Sequence, residues 1–427
     1  MSSANQTPPR RTKAGMKAFV ALRSPDYRRF WLSSLFQSAA QGMQTLTLSW
    51  LVLELTGSIS QFGLAIFLQG MPMSIMMIFG GVLADRLNRI KLMVITQVVK
   101  LVLLSLLGLL AMTHHLQIWH VYAVTPLIGG LQGFIGPARS STISDLVERK
   151  DIMNAVALNS MLMNITQIAG PSLAGFIISG VGVGLAVMIN ASLYIAGIFW
   201  LSRIKNFPQP VRTQQTSPAV DLLNGIRYVR DVPPVLAIIT IGCMMGLFAH
   251  PAQQMVPVLV RDLFGFGARE AGFLLMTGGI GALIGNMALA SFGDTIRKNW
   301  LLLFSGALYG IAILGLALLP WYLGSLVALF FMGMGRSVFV SIGSTLLQLI
   351  VPRDYLAKSL AWWNVGGAFT FVGAMPLGFL ADAAGLRTAI AVWVLVYMAT
   401  LLWMGLVRPA IRRIEANPQA VHVPVRG

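Results

Sequence analysis

Twelve stretches of about 20 largely apolar residues, cut apart by short polar turns, limit this chain more than any other feature, because a helix of that length crosses a bilayer. They lie near 30–53, 61–84, 92–112, 117–138, 153–179 and 183–202, then near 234–259, 269–292, 300–319, 322–348, 357–381 and 386–407. Within hydrocarbon every backbone N–H and C=O must be satisfied by its own segment, so each run is predicted as an α-helix. Of 427 residues, 56% are hydrophobic and 11% charged, against roughly 25% charged in a soluble domain. The chain therefore reads as an all-α membrane protein in contact with the lipid bilayer. Its formal net charge of +17 does not point to nucleic acid, because the basic residues punctuate apolar segments instead of forming one face. Cys243 is the single cysteine and lies in an apolar run, which leaves no disulfide framework and no cysteine-based metal site. The polar, basic start of the chain is not patterned as a cleavable signal peptide.

The spans fall into two sets of six. The expected organisation is an N-terminal segment over 1–29, a six-helix bundle over 30–202, a linker over 203–233, a second six-helix bundle over 234–407 and a tail over 408–427. In the linker, Leu222, Ile226 and Val229 keep helical spacing; an interfacial amphipathic helix and a disordered segment both fit that pattern. Lys and Arg accumulate on the cytoplasmic side of membrane proteins. Cytoplasmic termini put Arg28, Arg29, Arg86, Arg89, Lys91, Arg139, Lys150 and Lys298 on that side and leave Arg261, Arg269 and Arg387 opposite. The outer loop with His114, His115 and His120 has no carboxylate or cysteine beside it and reads as polar, not metal-binding.

The turn Gly80–Lys91 places Asp85, Arg86, Arg89 and Lys91 between two apolar runs, so it must lie at a membrane face. A shift of 209 residues lays Asp85 and Arg89 over Asp294 and Lys298, a degraded echo of the same turn. A shift of 203 lays Ser141, Thr142, Leu146 and Asp151 over Ser344, Thr345, Leu349 and Asp354, and Gly170 and Gly175 over Gly373 and Gly378. Two equivalent halves of six spans fit a parallel repeat about an axis along the membrane normal.

The turn pattern G-x-L-A-D-R-x-x-R at Gly81–Arg89, with twelve spans in a six-plus-six repeat, resembles the major facilitator superfamily of secondary transporters. The segments Tyr27–Leu32, Trp50–Ser58, Asn154–Ser160 and Thr345–Pro352 narrow the likeness to its branch of secretion effectors and siderophore or drug exporters. The resemblance covers roughly residues 24 to 407. It implies the major facilitator fold, two pseudo-symmetric six-helix bundles, and a gating role for Asp85, Arg86 and Arg89 with their echo at Asp294 and Lys298. Asp145 is the acid close enough in sequence to pair with Arg89; the other reading is that these charges only mark topology. Asn88 and Ile90 depart from the usual glycine and base of the turn. Gly170, Pro171 and Gly175 resemble the glycine-proline signature of antiporters, which reads equally as a bendable seam or a tight packing point. The fourth span keeps Gln132-Gly133 but lacks the preceding arginine of the proton-coupled drug antiporters.

Polar residues inside spans mark candidate transport chemistry. Gln37, Gln41 and Gln44 form one stripe on the first span and are expected to face a cavity. Asn159 and Gln167 on the fifth span, Gln253 with Gln254 on the seventh, Gln348 on the tenth, and Trp363 with Asn364 on the eleventh are further lining candidates; helix–helix hydrogen bonding is the alternative for each. Lys100 is expected to reach a membrane surface along its own stem or to stay buried. Glu54, His250 and Arg336 are candidates for ion coupling, with an interfacial anchor and a satisfied core histidine as alternatives for the first two.

No Walker sequence, nucleophile–base pair or metal-ligand spacing appears, so neither an enzyme nor a cofactor nor ATP hydrolysis is expected. The resemblance implies a monomeric alternating-access exporter of a small amphipathic organic substrate, drug- or siderophore-like, driven by protons in a bacterial inner membrane. An uncoupled facilitator or lipid carrier, and a transport-inactive scaffold or sensor, are the competing readings.

Overall fold

The computed structural model describes residues 19–86, 88–204, 226–293 and 297–406, with the backbone alone at 78–86, 137, 353, 354 and 357. The first half comprises α1 (Pro25–Thr56), α2 (Ile59–Arg86), α3 (Arg89–Met112), α4 (Ile118–Leu146), α5 (Ile152–Val181) and α6 (Val183–Ser202). The second comprises a broken helix α7, then α8 (Ala268–Phe292), α9 (Lys298–Leu318), α10 (Tyr322–Ile350), α11 (Arg353–Ala384) and α12 (Leu386–Leu406). α7 consists of Pro233–Met244, a π-helical turn Met245–Ala249, His250–Gln254 and Val256–Phe264. This is the all-α fold of two six-helix bundles that the apolar runs predict. Successive helices alternate in direction, so one face, here the basal face, carries the start of α1 and the end of α12; the opposite face is distal. Of the linker at 203–233, residues 205–225 lie outside the described residues, and Ile226 and Val229 stand on a helical turn over 226–231; the N-terminal segment before Phe19 and the tail after Leu406 are likewise outside.

By length and composition 11 of these helices qualify as membrane spans, and α1 is the exception. The polar stripe that lowers its hydropathy is turned inward: Ser33, Ser34, Gln37, Ser38, Gln44 and Thr47 are all buried. A helix with so many amides and hydroxyls crosses a bilayer only when other helices cover them.

The sequence predicts an unbroken seventh span, and the structure corrects that. Pro251 has no N–H to give to the carbonyl one turn earlier, on Leu247. Trp393 Nε1 on α12 donates to the freed Leu247 oxygen at 3.0 Å. The first half has the matching bond, Asn190 Nδ2 on α6 to Ala40 O on α1 at 2.9 Å. The internal repeat thus extends from spacing to an interhelical bond. Tyrosines hold two further glutamines from helices that the repeat does not equate: Tyr194 Oη on α6 donates to Gln44 Oε1 at 3.2 Å and Tyr309 Oη on α9 to Gln253 Oε1 at 3.1 Å. His120 of the outer histidine loop holds a local bond, its Nδ1 accepting from the N–H of Gln117 at the start of α4.

The two halves meet along α2 with α11 and α5 with α8. Small residues let these backbones touch. A Cβ on Gly378 would lie 2.8 Å from Ile59 O, one on Gly272 2.7 Å from Pro171 O, and one on Gly175 would run into Ala268 O. α5 runs unbroken through Pro171, and Gly170 packs within its own half, where a Cβ would meet the Gly42 backbone at 2.6 Å. In this conformation the glycine-proline segment is a packing point on both of its faces.

Gly170→Val should therefore force α1 and α5 apart and cost about 1–3 kcal/mol. Gly180→Ala, where nothing lies within 4 Å, should be neutral or slightly stabilising. Thermal unfolding of both variants in detergent checks the contrast.

Candidate functional site

Between the halves lies a cavity of about 220 Å³. α1 presents Gln41 and Gln44 to it, α2 Gln69, α4 Gln132, α7 Gln254 and α11 Phe371. Every polar side chain of the lining is an uncharged amide or hydroxyl, and Phe62, Met73 and Phe371 supply apolar and aromatic surface. Such a lining makes several hydrogen bonds without fixing a charge, which suits a polar-and-apolar solute of low charge.

The cavity is closed at the distal face by polar contacts as well as glycine packing. Gly57, with φ of 63°, ends α1 in the left-handed conformation that glycine adopts without strain. The turn leaves carbonyls facing outward, and Arg261 at the end of α7 crosses the seam to hold Leu53 O at 2.6 Å and Gly57 O at 3.0 Å. Asp382 near the end of α11 caps α2: its oxygens accept from the N–H groups of Ile59 (3.1 Å) and Ser60 (3.0 Å) and from Ser58 Oγ (3.1 Å). A carboxylate at a helix N-terminus gains from both the orphan donors and the dipole. On the other seam Arg269 of α8 lies 5.0 Å from the ring of Phe176 on α5. Charge-assisted contacts therefore close both pairs of seam helices at this face.

At the basal face Arg89 Nη1 meets Asp145 Oδ2 at 2.6 Å, joining α3 to α4 within one half. The side chains of Asp85 and Arg86, and the whole of Asp294, lie outside the described residues. Lys298 opens α9 at the corresponding place in the second half.

The remaining lining candidates divide. Gln41 and Gln44 reach the cavity, whereas Gln37 is turned into the helix packing with its Oε1 unpartnered. Gln253 is engaged by Tyr309, and its neighbour Gln254 takes the cavity position. Asn159 is bound by Arg139, and Trp363 stacks on Phe339 with centroids 5.8 Å apart. Gln37, Gln253, Asn159 and Trp363 thus serve interhelical packing in this conformation, the alternative left open for such residues. Gln167, Gln348 and Asn364 are exposed and do not line the cavity. Glu54 is exposed at the distal end of α1. His250 Nδ1 lies 2.8 Å from Thr370 Oγ1, as a satisfied core histidine would, and Arg336 Nε is buried without a partner.

Sequence reasoning misplaced Arg139 and overlooked Asp382 and Gln69. Arg139 counts as a face charge only if the fourth span stops near 138; α4 continues to Leu146 and carries it inside. There it is 4% exposed, with Nε donating to Asn159 Oδ1 at 3.1 Å and Nη1 to Ser38 Oγ at 3.1 Å. Lys100 is likewise buried and does not reach a surface. The signal for Asp382 was slight: it is the one acid in the short turn between the eleventh and twelfth apolar runs.

Asp382→Ala in a Cys243→Ser background should weaken the distal closure. A cysteine placed at Gln254 should then react several-fold faster with an impermeant maleimide added from the distal side; an unchanged rate would show that the cap on α2 does not hold the seam.

Comparison with known proteins agrees with this architecture. Residues 16–424 match the family described as transmembrane secretion effector. The enterobactin exporter EntS of Escherichia coli O1:K1 is 26% identical over 368 residues, spanning 83% of this chain and 85% of that one. The enterobactin exporter EntS of Shigella boydii serotype 18 matches with the same identity and coverage. Among solved structures, a bacterial homologue of the human lysosomal transporter Spinster, inward-facing and unoccupied, superposes with a TM-score of 0.71 at 14% identity, covering 91% of this chain and 97% of that one. The nucleoside transporter NupG gives 0.74 at 13% identity, covering 88% and 97%. At those identities the two structures speak for the fold alone.

Proposed function

Since the chain belongs to the transmembrane secretion effector family and is a membrane transporter of the major facilitator type, we propose that it exports amphipathic organic molecules of siderophore or drug size by alternating access, in exchange for protons. The observation that carries the reading is the uncharged, amide- and aromatic-lined cavity between the halves. The curated relatives named enterobactin exporters support a siderophore-like cargo. The bacterial inner membrane, a monomer and cytoplasmic termini complete the proposal; the distal face is then the outer one, and this conformation faces inward.

In this cycle Asp382, Arg261 and Arg269 hold the outer side shut while cargo enters from the cytoplasm. The turn at Asp85 and Arg86, the Arg89–Asp145 pair, and the echo at Asp294 and Lys298 form the inner latch when the halves rock. Only interactions that differ between the two states shift such an equilibrium. The Asp382 contacts cross the seam and qualify. The Arg89–Asp145 pair lies within one half, so it acts by fixing the end of α3 against α4.

A second reading, an uncoupled facilitator, draws on the absence of any ionisable side chain from the cavity lining. Proteoliposomes separate the two. Antiport predicts that an imposed pH gradient drives enterobactin against its concentration gradient; equal flux with and without the gradient would leave the facilitator. Gln41→Leu and Gln44→Leu should each raise the half-saturating enterobactin concentration about tenfold, the worth of one or two hydrogen bonds. Gln348→Leu, away from the cavity, should leave it unchanged.

A further inference from the structure

The first half buries a lysine that neither the cavity nor the seams use. Lys100 lies well inside α3 and is 1% exposed. Among the described residues no carboxylate pairs with it; Nζ lies 6.0 Å from the centroid of the Tyr194 ring on α6. The helices packed around α3 are α6, α4, α2 and, through the Gln97–Ser33 bond, α1. Their ionisable groups are few. Tyr194 is the one on α6, and the described side chains of α2 include none. On α4 His120 and Tyr122 lie at the distal end, bonded to Gln117 and Gln61, Arg139 is turned to Ser38 and Asn159, and Asp145 is engaged at the basal end by Arg89. On α1 the side chains at this depth are Ser33, Ser34, Gln37 and Gln41, none of which titrates.

The helices around this amine carry acceptors without donors. Gln37 Oε1 on α1, Gln97 Oε1 on α3 and Asn190 Oδ1 on α6 are all buried and unpartnered. Contacts spread the three along about two helical turns of α1, roughly 10 Å, with Gln37 in the middle. Gln97 lies one turn before Lys100, and its Nε2 reaches Ser33 Oγ at 3.5 Å, one turn before Gln37. Asn190 lies one turn before Tyr194 and donates to Ala40 O, one turn after Gln37. A buried carbonyl-type oxygen without a donor is costly, and an ammonium has three donors to give. The site also communicates with the cavity: Tyr194, against which Lys100 rests, donates to Gln44 Oε1, and Gln44 is a cavity side chain.

We propose that Lys100 is the proton-binding site of the transport cycle. The neutral amine rests on Tyr194 at the position described, and the ammonium turns to the amide oxygen of Gln37, which lies between those of Gln97 and Asn190. The amine lone pair takes one proton from water admitted on the outer side and returns it to water on the inner side; no other bond changes. Protonation pulls α1 and α3 onto one centre, and α1 carries Gln41 and Gln44 into the cavity, so the proton and the cargo act on the same helix. The proposal rests on the antiport reading above.

The full-length protein in proteoliposomes tests it, with enterobactin as the probe. Lys100→Met, with Lys100→Gln as the second variant, should lower pH-gradient-driven accumulation about tenfold, the usual scale of coupling between two ligands. Exchange of enterobactin without a gradient should persist. Variants driven as well as wild type would overturn the role of Lys100 and leave antiport standing. Wild type indifferent to the gradient would overturn antiport and the lysine together. A substrate-free measurement accompanies it, the melting temperature of the detergent-solubilised chain as a function of pH. A group that titrates differently in folded and unfolded chains leaves its mark there. The proposal requires that the profile change in Lys100→Met; superimposable profiles overturn it.

Discussion

A polar group inside this protein finds its partner on its own or a neighbouring helix, because the surrounding hydrocarbon offers none. The pairings between α1 and α6 and between α7 and α12 carry that constraint into the architecture. Asn190 holds the Ala40 carbonyl, and Trp393 holds the Leu247 carbonyl that Pro251 leaves free. These bonds fix the most polar helix of the first half and the broken helix of the second against the outer helix of each bundle. Only with α1 and α7 so held can Gln41, Gln44 and Gln254 face a shared cavity.

The seams obey a different rule. α2 with α11 and α5 with α8 approach through glycines, where backbone atoms occupy the space a Cβ would need. Such packing is tight but carries no direction. Direction comes from the distal contacts, where Asp382 caps α2 and Arg261 holds the last carbonyls of α1. These charge-assisted contacts lie at the water boundary, where the groups are solvated again once separated. That makes them suited to opening and closing, whereas a fully buried pair would be costly to break.

Several features were legible in the sequence for definite physical reasons. The partner of Arg89 could be named because few acids lie near that membrane face, and Asp145 meets it at 2.6 Å. The stripe of Gln37, Gln41 and Gln44 could be read as inward-facing because amides avoid lipid. Which of the three reaches the cavity could not, since that depends on the rotation of α1 against α6, set by Asn190 and Tyr194 far along the chain. Arg139 was misread because a charge at the end of an apolar run has the same pattern whether the helix stops there or continues. Gln253 and Gln254 are adjacent, and only the break in α7 decides which faces Tyr309 and which the cavity.

The sequence by itself determined the membrane, the number of spans and the two-fold repeat, because each of these follows from the spacing of apolar and charged residues along one chain, and its motifs carried the resemblance to the family. Tertiary structure alone decided where the polar groups end up. Arg139 and Lys100 are both basic residues in or beside an apolar run, yet one is satisfied by Ser38 and Asn159 while the other is buried beside the ring of Tyr194. That difference arises from residues more than a hundred positions apart in the chain, such as Ser38 with Arg139 and Ala40 with Asn190. Hydrogen bonding in a bundle is a relation between neighbouring helices, and the order of residues along one helix does not specify its neighbours.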